Sequence, residues 1–221
     1  MATARSYDQA CSAAHALDLV GERWALLVVR ELLLGPKRFT DLRVGLPQAG
    51  PNVLSQRLRE LERTGVVRRR KLPPPAASQV YELTDWGREL EQVLIQLTQW
   101  GSRSPLRDLT AAVGVDALML ALRSGHDPDS GLDASYTLRL GEDAFSIRVA
   151  AGHLTIVRGE AAAPDAVIDT DPRTFAGLMV HRQRPGDAIA AGTLTVTGDA
   201  DAVERLLDSI TTPEPAPVPE T

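Results

Sequence analysis

The chain has 221 residues, enough for one or two domains, and 43% of them are hydrophobic, so a normal core is within reach. A single cysteine excludes an intrachain disulfide framework, and no uncharged apolar run approaches the roughly 18–20 residues of a membrane span. The formal net charge of −5 looks adverse to a nucleic-acid partner until it is divided: residues 1–104 hold 15 Lys/Arg against 11 Asp/Glu, residues 105–221 hold 9 against 18, and the window 37–71 alone holds 10 bases against 3 acids. The positive field is therefore local, and the acidic half is expected to face away from DNA.

Residues 9–20 predict a first helix, with Ala10, Ala13, Ala14, Leu17 and Val20 apolar, and Gly21 permits a break. Residues 23–34 predict a second, carried by Trp24, Leu27, Val28 and Leu32 and stopped by Gly35-Pro36. Lys37 and Arg38 sit at that corner, within reach of a phosphate. Residues 39–43 fit a short helix with Thr40 as its N-cap, and residues 45–50 fit the turn after it.

A helix over 51–64 comes next. Pro51 suits its first turn and Gly65 its end. Leu54, Leu58 and Leu61 form one buried stripe, and Asn52, Gln56, Arg59 and Arg63 point the opposite way at about 100° per residue, with Ser55 at the edge. Arginine reads guanine O6 and N7, and Asn or Gln reads adenine N6 and N7, in a groove that admits a helix. An ordinary solvated face has the same pattern, and the residues beyond Gly65 decide between the two. Residues 66–72 form a strand-like run through Arg68, Arg69, Arg70 and Lys71, Pro73-Pro74-Pro75 makes a tip, and residues 79–83 return as a second strand. Helix, basic strand, tip and return strand are the winged helix-turn-helix order. The wing places Arg69, Arg70 and Lys71 near the backbone and minor groove, the alternative being a charged edge strand that resists aggregation. Thr84 then caps a helix to about Trp100, whose stripe of Trp86, Leu90, Val93, Leu94, Leu97 and Trp100 offers a dimer surface or, alternatively, completes the core.

Residues 10–101 resemble the HxlR-type winged-helix regulators, a MarR-like bacterial transcription-factor family. The matching text is CSAAHALDLVGERWALLVVRELLLGPKRFTDLR, PNVLSQRLRELERTGVV, YELTDWGREL and the closing QWG. The resemblance implies a homodimer on a palindromic double-stranded operator with the 51–64 helix in the major groove. Gly50 stands where the family commonly has a Ser cap. Cys11 aligns with a cysteine that senses oxidants or electrophiles in some members, but Ser12 replaces the usual Pro after it. The alternative for Cys11 is an inert buried residue.

Residues 102–112 read as a linker and 113–122 as a helix. Alternation then predicts strands at 134–140, 144–150 and 153–158, a fourth strand at 166–170, a helix from Asp171 through His181, a short helix at 187–191, a last strand at 193–197 and a last helix at 200–210. The tail from 212 carries Pro213, Pro215, Pro217 and Pro219 and is expected to be disordered. This half resembles the sterol-carrier-like domain through YTLRLGEDAFSIRVAAGHLTIVRGE, DAVIDTDPRTFAGLM and GDAIAAGTLTVTGD. That resemblance implies helices on an antiparallel sheet of about five strands and an apolar ligand, for which Phe175, Leu178 and Met179 are the candidate contacts, a closed core being the alternative.

The expected architecture is α+β: a winged helix-turn-helix domain for DNA binding and dimerisation over 8–102, a sterol-carrier-like domain over 113–211, and the tail. His15, His126, His153 and His181 share no metal-ligand spacing, and no GxSxG, P-loop or GxGxxG occurs, so no catalytic residue, metal or cofactor is expected. His126 with Asp127 and Asp129 reads as a turn. The expected function is a cytoplasmic dimeric DNA-binding regulator answering to an apolar effector. The competing reading is a lipid- or acyl-binding protein whose winged helix contacts other proteins.

Overall fold

The computed structural model describes residues 6–75, 77–180, 182–199 and 201–217. The expected helix end at His181, helix start at Ala200, wing-tip Ala76 and last four tail residues lie outside them. The chain divides into two compact units, Met1–Leu94 and Ile95–Thr221. Among the described residues no helix is long and apolar enough to cross a membrane.

The first unit runs α1 (Ser12–Val20), α2 (Ala25–Leu32), α3 (Phe39–Gly45), α4 (Pro51–Arg63), β1 (Val67–Lys71) and β2 (Gln79–Leu83), and α5 (Asp85–Ser102) begins in it. Two helices start later than the apolar pattern predicts. In α1 the reason is that Cys11, not Gln9, takes the extended N-cap conformation; in α2 it is that Trp24 adopts a left-handed φ of 77°. Thr40 is not the cap of α3: its N-cap is Arg38, whose backbone N–H donates to Asp41 Oδ2 at 2.9 Å. Asp41 is the better cap because a carboxylate three residues into the helix reaches back to the orphan donors. Thr84 caps α5 as expected, its Oγ1 accepting from Gly87 N at 3.0 Å while donating to Gly65 O at 2.7 Å. The core is built from Val28, Val29 and Leu32 of α2, Leu42 of α3, the α4 leucines and Val66, Val67, Val80 and Leu83 around the wing.

The wing pairs β1 and β2 antiparallel from Val67↔Leu83 to Lys71↔Gln79. It has a third participant. Lys37 N donates to Tyr81 O at 3.0 Å and Tyr81 N donates to Lys37 O at 2.8 Å, so the segment just before α3 is stitched to β2.

The second unit holds α6 (Val115–Gly125), β3 (Ala134–Leu140), β4 (Asp143–Ala150), β5 (His153–Arg158), β6 (Ala166–Thr170), α7 (Pro172–Met179), α8 (Pro185–Ala190), β7 (Leu194–Gly198) and α9 (Ala202–Asp208). The sheet order is β5-β4-β3-β6-β7. The five strands and the helices beside them are the α+β layout expected. One pair departs from an all-antiparallel sheet: β3 and β6 are parallel. The meander β3-β4-β5 grows outward, so β6 must return past two strands to the free side of β3, and such a crossover delivers it parallel. The β4–β5 hairpin turns through Ala151 and Gly152 at φ 48° and 76°, the positive pair that a two-residue type I′ turn demands. Asp171 caps α7, its Oδ1 accepting from Arg173 N at 2.9 Å and Thr174 N at 3.0 Å. Tyr136, Leu138, Phe145, Ile147, Val149, Ile168, Phe175 and Leu178 are fully buried and form the core.

Candidate nucleic-acid interface

Helices α3 and α4, joined by the turn at 46–50, are the helix-turn-helix. The two faces of α4 follow its sequence: Leu54, Leu58 and Leu61 are buried to the last 1%. Asn52, Gln56, Arg59 and Arg63 are exposed, and Ser55 is half-buried at their margin. The outer face is not free of acid. Glu60 accepts from Gln56 Nε2 at 3.0 Å and is answered by the buried guanidinium of Arg57, which lies 3.6 Å from Glu22 as well. Gln56 therefore reaches any base through an amide already turned toward Glu60. Arg59 and Arg63 have no ion-pair or hydrogen-bond partner among the described residues.

The strand pleat sorts the wing's four bases. Alternate side chains take opposite faces, so Arg68 and Arg70 both converge on Glu82, at 2.8 and 2.9 Å. Arg69, on the other face, makes a two-point contact with Glu62 of α4 at 2.8 and 3.1 Å and lies 5.3 Å from the Tyr81 ring centroid. Lys71, on the Arg69 side, has no partner among the described residues. Burial pushes the Glu82 carboxyl up, but the guanidiniums of Arg68 and Arg70 outweigh it and hold Glu82 below the usual carboxylate range. A depressed folded-state value means that this pair stabilises the wing above the unfolded glutamate pKa of about 4.3 and ceases to as pH falls through the folded value. A Glu82→Gln variant should therefore melt below the parent at pH 7, and the gap should close as pH falls below about 4.3 and through the depressed folded value; a gap that stays constant would show that charge is not what Glu82 contributes.

Lys37 and Arg38, neighbours in the sequence and expected to act together, part company. Arg38 is exposed at the start of α3. The Lys37 ammonium turns inward, 2.7 Å from Glu31, whose side chain is 1% exposed and also takes Arg30 at 2.8 Å. The signal for this was present: Glu31 is an acid beside the buried face of an apolar helix, and a buried carboxylate demands cations. Arg43, in the last turn of α3, is exposed and without a partner among the described residues, and it joins the candidate phosphate contacts although the sequence pattern did not single it out.

The HxlR-like helix-turn-helix family profile matches residues 19–107. The regulator YvaP of Bacillus subtilis, an uncharacterised HTH-type transcriptional regulator, is 39% identical over 87 residues, which is 39% of this chain and 81% of that protein. The chain belongs to the HxlR-like helix-turn-helix family. Among solved structures, the reduced form of the transcriptional regulator YodB from B. subtilis is 31% identical with a TM-score of 0.40, covering 44% of the HxlR-like chain and 97% of that one. Behind the HxlR-like part, residues 100–216 match the alkyl sulfatase C-terminal family. The sec-alkylsulfatase Pisa1 from Pseudomonas sp. is 17% identical with a TM-score of 0.45, covering 48% of this chain and 17% of that one.

Cys11 is exposed, which removes the reading of it as a buried inert residue: the first helix begins one residue after it and turns its thiol to solvent. The backbone N–H groups of Ala14 and Ala13 pull its thiol below the ordinary value, though neither reaches full hydrogen-bond geometry. Of the candidate ligand contacts, Phe175 and Leu178 are sealed in the core of the second unit. Only Met179, at the end of α7, borders open space: it lines a cavity of about 580 Å³ together with residues of the 96–107 and 121–128 segments and of the 210–213 segment.

Proposed function

We propose that the protein is a dimeric transcription regulator that places α4 in the major groove of a palindromic operator and lays the β1–β2 wing on the backbone and minor groove. The observation that carries this reading is the exposed row Asn52, Gln56, Arg59 and Arg63, set opposite a sealed leucine stripe and flanked by the exposed side chains of Arg38, Arg43 and Lys71. Such a face combines base-reading groups with phosphate cations. We assign DNA binding and dimerisation to 8–102, an effector role without catalysis to 113–211, and a tail to the segment from 212; the compact units themselves divide between Leu94 and Ile95, within α5. Residues 212–217 have no regular secondary structure.

Dimerisation is supported by α5. Trp86, Val93, Leu97 and Trp100 are 50%, 49%, 47% and 75% exposed, an apolar stripe at seven-, four- and three-residue steps along one helix. Large apolar side chains in a continuous exposed row mark an association surface. Val93→Glu with Leu97→Glu is expected to convert a dimer to a monomer in light scattering and to lower operator affinity at least about tenfold, since half-sites one turn apart are read together only by a dimer. A dimer that survives both substitutions would move the interface elsewhere.

The regulator reading is tested by gel shift with the DNA upstream of its own gene. A retarded band whose affinity falls steeply with salt is expected; no shift at any ionic strength would favour a winged helix that contacts protein.

A further inference from the structure

Of the exposed row on α4, Gln56 alone is held by another side chain among the described residues. Its Nε2 donates to Glu60 Oε1 at 3.0 Å. The other oxygen of Glu60 accepts from Arg57 Nη1, and Arg57 Nη2 stands 3.6 Å from Glu22, in the break between α1 and α2. Gln56, Glu60 and Arg57 follow one another by about 40° and then about 60° around the helix, so this chain of contacts runs from the exposed row over the flank to the buried side. Exposure falls along it: the Glu60 side chain is 31% exposed and that of Arg57 10%. The inner end is anchored between two acids, and the outer end is an amide on the face proposed to meet the bases.

The sense of that amide is dictated by chemistry. A carboxylate only accepts, so Gln56 can turn only its NH2 group toward Glu60. One N–H is consumed, and Oε1 with the remaining N–H is left for a partner. Adenine answers both, with its N6–H for the carbonyl and its N7 for the N–H. Guanine offers two acceptors, N7 and O6, so Oε1 would face an acceptor across the groove. An untethered glutamine escapes that conflict by turning its amide over; Gln56 cannot without surrendering Glu60. We propose that Glu60 and Arg57 are positioning residues for base reading: they fix the sense of the Gln56 amide, so that Gln56 demands adenine rather than guanine at the base pair it meets. Arg57 also neutralises a carboxylate that would otherwise stand uncompensated beside the phosphates. The inference rests on the reading of α4 as the helix in the major groove.

The test is a binding selection from a randomised duplex pool, read by sequencing, on the full chain and on its Gln56→Ala and Glu60→Gln variants. In the full chain one position of each half-site is expected to prefer adenine over guanine by roughly 5- to 150-fold, the worth of one bidentate pair. Gln56→Ala should flatten that position alone. Glu60→Gln keeps the side-chain volume but replaces a group that only accepts with one that also donates, so the Gln56 amide can turn over. The preference there should fall to about threefold or less, with the preferences at other positions intact. A purely structural Glu60 would instead lower affinity on every sequence and leave the adenine preference standing, which overturns the proposal. A Gln56→Ala profile identical to that of the full chain overturns it too. A further measurement needs no Glu60 variant: purine, which lacks the N6 amino group, replaces the preferred adenine. Affinity should then drop several-fold more for the full chain than for Gln56→Ala, and equal drops would contradict a carbonyl facing N6. Failure of the underlying reading looks different. A full chain that selects no sequence sinks both, whereas sharp preferences that are all untouched by Gln56→Ala sink this inference alone.

Discussion

Arg59→Ala with Arg63→Ala is expected to weaken operator binding by roughly 30-fold to 20,000-fold, at about 1–3 kcal/mol for each base-edge hydrogen-bonding side chain removed. Both side chains are exposed, and neither has a partner among the described residues that would have to be surrendered on binding. The fold should be untouched, because the leucine stripe that seats α4 lies on the opposite side. The contrast is Arg68→Ala. Its guanidinium is already bonded to Glu82, so its removal should lower affinity by only a few-fold, alike on operator and scrambled duplex. Fluorescence anisotropy against both duplexes decides it: equal losses for the two substitutions would mean that α4 does not read bases. The same distinction sets the salt response. Of the ten bases in 37–71, Lys37, Arg57, Arg68, Arg69 and Arg70 are held by acids, so a slope predicted from raw charge would be too steep.

Gly87→Ala should be the most damaging small substitution in the first unit. A Cβ there would stand 2.1 Å from Val66 O and 3.0 Å from Val66 C, against backbone that cannot rotate aside. Val66 O also accepts from Thr84 N at 3.1 Å, so pushing it away loosens the junction where the wing meets α5. Overpacking of this kind costs about 1–3 kcal/mol, a fall of roughly 5–20 °C in the melting of a domain this size. Gly101→Ala is the control on the same helix, since its Cβ would meet nothing within 4 Å. A Gly87→Ala variant as stable as Gly101→Ala would show that the close approach is relaxed in solution.

Much of the fold was legible because it rests on short-range period and punctuation. Pro51, Gly65 and three leucines fix α4 to within a residue of its observed end, and strict alternation places β3, β5 and β6 at their observed bounds. The features that escaped depend on partners distant in sequence. The inward turn of Lys37 needs Glu31, and the fate of Arg68 and Arg70 needs Glu82 fourteen and twelve residues on. Composition marks these bases as equals; strand pleat and helix register make some structural and leave others free. The second unit repeats the lesson. Phe175, Leu178 and Met179 share one helix face, yet only the last, where the helix ends, borders the cavity.

The two hydrogen bonds between Lys37 and Tyr81, with the Glu62–Arg69 clamp, tie the wing to both helices of the helix-turn-helix. A β-ribbon on a flexible stem would surrender conformational entropy each time it settled on a duplex. Here those contacts restrain the ribbon before any duplex is met. If α4 and the wing contact DNA as proposed, they arrive with their spacing already set, and discrimination between sites should appear in dwell time on DNA more than in the rate of arrival.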